Sequence, residues 1–292
     1  MRTVAFGVLL WMISQVLTRL IQMPGPRALW RRYPSIWVPT RVRYGIWSRP
    51  HYAYGVFAAA KLARRLGYSG MSAVEFGVAG GNGLLALEEI AKAVGQHFEI
   101  SIDVWGFDTG QGMPKPLDFR DLPHVWGEGF YRMDVAALQA RLTSAKLFLG
   151  DVAETVPKFL DNDAKLPLGF VAFDLDYYSS TAQALTIFDG AATTRLPRVF
   201  CYFDDIIWPE TACHNEHVGE LCAIRDFNSR RQDVKLAPPH LLRHTRPYPD
   251  PWNDQIYVLH DFQHPHYCVN ITPQGNQFQE KPLRTNKWAE KV

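Results

Sequence analysis

Four aspartates in two tight groups, Asp174 with Asp176 and Asp204 with Asp205, are the residues of this chain best placed to do chemistry. Each group follows an apolar run, GFVAF and VFCYF, so each would stand at the end of a buried strand. Hard divalent cations such as Mg2+ take oxygen ligands, and Mg2+ usually keeps waters or substrate oxygens beside its carboxylates. Asp174, Asp204 and Asp205 supply such a set. The alternative is that these acids cap helices. One acid per strand end would be unremarkable, but several at neighbouring ends repel one another without a cation.

A second constellation lies upstream. The stretch Glu75-Phe76-Gly77-Val78-Ala79-Gly80-Gly81-Asn82-Gly83 follows a strand-like run and opens the helical pattern LLALEEI. Glycines there let the backbone approach a ligand closely. Nicotinamide and flavin sites use similar loops, but Glu75, two residues before Gly77, would repel a pyrophosphate. The same carboxylate suits the α-ammonium of a methionine moiety. Asp108 lies 31 residues after Gly77, beyond the spacing of about 20 in a dinucleotide fingerprint, and could accept hydrogen bonds from ribose hydroxyls. The loop (Glu75, Gly77, Ala79, Gly81) with Asp108 is read as binding a methyl donor, with a dinucleotide or a purely structural turn as alternatives.

VEFGVAGGNG resembles motif I of class I methyltransferases, with Ala79 in place of the middle glycine. GFDTGQGMP, FDLDYYSST and CYFDDI, in that order, resemble the macrocin O-methyltransferase-like family of metal-dependent enzymes that methylate sugar hydroxyls. The resemblance spans roughly residues 72–210 and departs at Thr109-Gly110-Gln111, where the family has Ser-Phe-Glu. It implies a Rossmann-like α/β fold of about seven mainly parallel strands with the last antiparallel. It implies S-adenosylmethionine as cofactor, Mg2+ or another divalent cation on Asp174, Asp204 and Asp205, and Asp176 as general base. It also implies Asp151 as an adenine contact, although Asp151 equally suits the N-cap of the helix ETVPKFL.

The expected reaction is therefore O-methylation of a small hydroxylated acceptor, a sugar or glycoside. Such hydroxyls are very weak acids, so the developing negative charge must be stabilised, and each unit of pKa lowered corresponds to about 1.36 kcal/mol. Two other readings stay open: a membrane-associated methyltransferase of a glycolipid or lipid, and a non-catalytic protein that binds S-adenosylmethionine.

The elements that must position these residues alternate. Strand-like runs are predicted at 73–78, 102–108, 146–151, 169–176, 199–205 and 255–262. Helical patterns lie between them, at 84–94, 135–142, 154–160, 181–191 and 219–230, with another at 51–68. Such alternation argues for a mainly parallel sheet covered by helices on both faces, whose ligand crevice lies at the carboxyl ends of the strands. The long Gly- and Pro-rich stretch 109–134 reads as a substrate lid carrying His124, Trp126, Phe130 and Tyr131.

Charge divides the chain further. Net charge is only +2, yet 11 of the 31 Lys and Arg residues precede the first acid, Glu75. An apolar run at 4–21 is followed by arginines interleaved with Trp30, Tyr33, Trp37, Tyr44 and Trp47. The organisation expected is a basic aromatic arm at 1–50, a methyltransferase domain at 51–270 and a polar tail at 271–292. The arm is compatible with peripheral contact at the inner face of a membrane, or with packing on its own domain or on a second copy in a homo-oligomer. No nucleic-acid partner is expected. The four cysteines show no C-x-x-C pair, which suits reduced thiols and a cytoplasmic setting. Cys213, His214, His217 and Cys222 lack the spacing of a zinc site.

Overall fold

The structure, a computed structural model, describes residues 37–162 and 165–272. The apolar run of the arm and its first aromatic residues lie outside the described residues, as does the tail from 273 onward. Among the described residues no helix is long and apolar enough to cross a membrane.

Seven strands form one sheet: β1 (Gly70–Phe76), β2 (Ser101–Asp108), β3 (Lys146–Leu149), β4 (Leu168–Phe173), β5 (Arg195–Phe203), β6 (Val234–Ala237) and β7 (Ile256–Asp261). Their order is β3-β2-β1-β4-β5-β7-β6. Neighbours from β3 to β5 pair in parallel, whereas β7 runs antiparallel to both β5 and β6. This is the Rossmann-like arrangement of class I methyltransferases, with the last strand reversed as expected. The chain builds outward from β1 to β3 and then returns to place β4 against the other side of β1. That reversal opens a crevice at the carboxyl ends of β1 and β4.

Both central strands are buried along their whole length, which suits the apolar run of β4, whereas β1 carries Ser72 and Glu75 among its apolar residues. On one face pack α1 (Val38–Arg43), α2 (Pro50–Arg65) and α3 (Asn82–Phe98). The other face is covered by α5 (Val152–Leu160), α6 (Tyr178–Ala184) and α7 (Gly219–Arg230), while α4 (Val135–Gln139) follows the lid and α8 (Leu242–Thr245) precedes β7.

One row of side chains levels the strand ends. Phe148, Phe107, Phe76, Phe173 and Phe203 come from β3, β2, β1, β4 and β5 and sit in register across the sheet. Neighbouring rings lie 5.0, 4.8, 5.6 and 4.6 Å apart in that order. Rings at such separations attract one another beyond the area they bury, by about 0.5–1.5 kcal/mol per pair. The residues that follow four of them are Asp108, Gly77, Asp174 and Asp204. The ladder therefore sets the height at which each functional turn begins.

Several boundaries differ from those expected. Strand β4 ends at Phe173, so Asp174 and Asp176 occupy the turn after it. Strand β6 was not foreseen, because VKLA is too short to stand out from its polar surroundings. Residues 38–50, assigned to the arm, are part of the domain: Val42, Ile46 and Trp47 are buried, and the Arg41 guanidinium lies 3.6 Å over the Trp47 ring. An arginine beside an aromatic ring is here a core contact rather than a surface anchor.

Candidate active site

A cavity of about 790 Å3 opens at the carboxyl ends of β1, β2, β4 and β5. It is lined by Glu75, the loop Gly77–Gly83, Asp108, Asp151, Asp174, Asp176, Asp204 and Asp205. All the residues singled out for cofactor, metal or base roles thus face one space.

The glycine loop is shaped by close approach. Gly77 has a φ of +83°, and a Cβ there would lie 1.7 Å from the Asp174 carbonyl oxygen. Ala79, in place of the middle glycine, is held at φ +44°, a conformation few non-glycine residues adopt. Its N–H donates to Asp108 Oδ2 at 2.8 Å, and the Gly110 N–H donates to Oδ1 at 2.7 Å. Asp108 thus joins the glycine loop to the start of the lid, with its remaining lone pairs open to a ligand.

Glu75 is the most unusual group in the loop. It is 1% exposed, and Tyr52 of α2 donates its hydroxyl to Oε1 at 2.6 Å. Its Oε2 is buried with no hydrogen-bond partner. Burial raises its pKa to about 7, against the lowering pull of the Tyr52 hydroxyl and of Arg49. Gly83 makes room for it, since a Cβ at that position would lie 1.8 Å from Oε1. Glu75 lines the cavity, and a carboxylate oxygen without a partner is the acceptor that an ammonium group needs.

Asp174, Asp204 and Asp205 each offer a carboxylate oxygen within 4.8 Å of the others, the one such cluster of metal-ligating side chains among the described residues. Asp176 stands beside them at φ +59°, and its backbone N–H donates to Asp205 Oδ2 at 2.9 Å. Tyr202 donates to Asp204 Oδ1, and the Asp205 N–H donates to Glu220 Oε2 at 3.1 Å. Burial, followed by repulsion from Asp205, Asp204 and Glu75, raises the Asp174 pKa well above the carboxylate range. Burial and its acidic neighbours do the same to Asp205 and Glu220. Asp176 is raised to about 7, chiefly by burial, partly offset by its hydrogen bond with Asp205. Crowded carboxylates of this kind fit a hard divalent cation, which would relieve the repulsion.

The lid contributes Trp126 and Tyr131 to the cavity wall. His124 turns away toward the Thr211 carbonyl, 3.3 Å distant, and Phe130 is exposed. Asp121, fully buried, fastens the lid to the sheet side by accepting from the Ser179 N–H and hydroxyl at 2.8 and 2.9 Å and from the Leu117 N–H at 2.8 Å. Asp151 accepts from the Ala153 N–H at 2.8 Å as the N-cap of α5 and also lines the cavity. His214 and His217 are engaged with the Trp208 carbonyl and with Arg225.

Sequence reasoning assigned no role to Asp121, Tyr202 or Glu220. Glu220 opens α7, where an acid near the helix N-terminus is ordinary, and only the packing of α7 against α6 brings it behind Asp205. For Tyr202 the signal was its place in CYFDD, two residues before Asp204 and on the same side of the strand.

No protein-family model matches the chain, and no curated protein does. Among solved structures, the calicheamicin methyltransferase CalS11 is similar over 71% of this chain and 77% of its own, at 20% identity and a TM-score of 0.47. The O-methyltransferase NovP is similar over 62% and 72%, at 16% identity and a TM-score of 0.45. TomG from Streptomyces achromogenes, an O-methyltransferase involved in tomaymycin synthesis and solved with S-adenosylmethionine, is similar over 70% and 77%, at 14% identity and a TM-score of 0.38. Likenesses of this size carry no chemistry across, so function rests on the residues of the cavity.

Proposed function

We propose that the protein is an S-adenosylmethionine-dependent, divalent-metal-dependent O-methyltransferase that acts on a hydroxyl of a small acceptor, a sugar or glycoside. One observation carries this reading. Glu75, with one carboxylate oxygen left without a partner, and the Asp174, Asp204 and Asp205 cluster share one cavity at the topological switch point.

S-adenosylmethionine supplies an electrophilic methyl group, and a divalent cation supplies the Lewis acidity that makes a hydroxyl more acidic. The chain's own residues do the rest. Glu75 receives the α-ammonium, with Tyr52 fixing which oxygen is free. The glycine loop lines the cavity in which the donor would lie. Asp108 and Asp151, both lining the cavity, would receive the ribose and adenine. Asp174, Asp204 and Asp205 would hold the cation. Asp176, in the cavity beside these ligands and joined to Asp205 through its backbone N–H, would accept the acceptor's proton. Trp126 and Tyr131 exclude water above the reacting groups.

An amphipathic acceptor such as a glycolipid is a second reading. The mouth of the cavity presents Leu117, Tyr131, Ile207 and Trp208, exposed by 74, 54, 41 and 69%. Such a rim would seat an apolar body while the hydroxyl entered below.

The test is transfer of label from S-adenosylmethionine to compounds of a lysate in the presence of Mg2+. Labelled hydroxyl products that disappear on adding chelator are expected. Transfer indifferent to chelator would remove the metal role, and calorimetric binding of NADH with none of S-adenosylmethionine would remove the whole reading.

A further inference from the structure

Two cations line the cavity, Arg49 and Lys115. Lys115 sits exposed on the lid. Arg49 caps the start of α2, three residues before Tyr52, whose ring lies 5.7 Å from its guanidinium carbon. Its backbone carbonyl accepts from the Ala53 N–H, but among the described residues the Arg49 guanidinium makes no hydrogen bond and no ion pair. Its charge is nevertheless felt by the acids of the cavity. Burial alone would lower its pKa, but Tyr52, Asp174, Glu75 and Asp204 together raise it.

A free guanidinium inside a cavity lacks the partner that its planar fork is built to hold, a carboxylate or phosphate gripped by two parallel N–H bonds. The donor proposed above carries such a group. Its α-carboxylate and α-ammonium are attached to one carbon, so an ammonium seated on Glu75 brings the carboxylate to the same wall. There Glu75, Asp108, Asp174 and Asp204 would all repel it. A cation beside Glu75 is required.

The geometry points to Arg49 as the residue that receives the α-carboxylate of the methyl donor. The first turn of α2 then provides both halves of an amino-acid clamp, Arg49 directly and Glu75 through the Tyr52 hydroxyl. This assignment rests on the methyl-donor reading. The competing role for Arg49 is to neutralise the acidic cluster while no cation is bound.

Calorimetry in chelator separates the two roles. Wild type and Arg49→Met are each titrated with S-adenosylmethionine and with its decarboxylated analogue, which keeps the sulfonium and the ammonium. The expected result is a loss of at least tenfold in affinity of the variant for S-adenosylmethionine, with affinity for the analogue held within about twofold. Arg49→Lys should recover part of the loss, because a point charge replaces the fork. If Arg49 only neutralises the cluster, Arg49→Met binds both cationic ligands equally well or more tightly, and the assignment is overturned. Equal weakening toward both ligands overturns it too. Wild type that binds neither compound removes the methyl-donor reading and this assignment with it.

Discussion

Phe173 and Phe203 stack 4.6 Å apart with ring planes inclined by 6°, and the residues that follow them are Asp174 and Asp204. Two candidate metal ligands from separate strands are thus held level by an apolar contact beneath them. Phe203→Ala should destabilise the fold by about 3–5 kcal/mol. Phe203→Leu, which keeps most of the volume, should cost less than about 1.5 kcal/mol yet still weaken Mg2+ binding. Chemical denaturation and metal titration read the two effects, and unchanged metal affinity in the leucine variant would refute the levelling role.

The acidic cluster burdens the metal-free protein. Replacing Asp174 by Asn removes one half-buried, mutually repelling carboxylate, so the metal-free fold should gain about 1 kcal/mol or more at pH 8. Added Mg2+ should raise the melting temperature of wild type and leave Asp174→Asn unmoved. A metal-free Asp174→Asn protein that melts lower than wild type would contradict this account.

Glu75 gives donor binding a pH dependence. Its carboxyl, ordinarily at 4.5, stands at about 7 in the fold. A group raised in this way contributes stability that is complete below its unfolded value and disappears as pH rises through about 7. The ionised form is the one that receives an ammonium, so affinity for S-adenosylmethionine should tighten by about tenfold between pH 5.5 and 7. Glu75→Gln should bind more weakly and show a flat profile over that range. A sloping profile in the variant would place the titration elsewhere.

Glu220 accepts from the buried Asp205 N–H. Glu220→Ala leaves that donor without a partner and should cost about 1–3 kcal/mol. Glu220→Gln keeps an oxygen acceptor and should cost less than about 1 kcal/mol. Urea midpoints of the two variants decide it, and equal losses would mean that Glu220 acts through volume rather than through this bond.

The order of motifs was legible because local patterns encode it. Apolar runs of strand length, each ending in a carboxylate or glycine turn, announced a parallel sheet with its reactive groups on one edge, and the cavity holds Glu75, Asp108, Asp174, Asp204 and Asp205 together. Strand β6 escaped because four residues make too short a run to register. The domain edge was misplaced because an arginine over a tryptophan reads the same in sequence whether it is buried, as at Arg41 and Trp47, or faces a membrane.

What the sequence by itself determined was the kind of chemistry available: oxygen ligands for a hard cation and a glycine turn beside a carboxylate. What the tertiary structure decided was which groups lack partners and which crowd one another. The free oxygen of Glu75, the unpaired guanidinium of Arg49 and the position of Glu220 behind Asp205 depend on contacts between helices and strands far apart along the chain. Hydrogen-bond satisfaction and desolvation belong to three-dimensional surroundings, and one-dimensional spacing does not carry them.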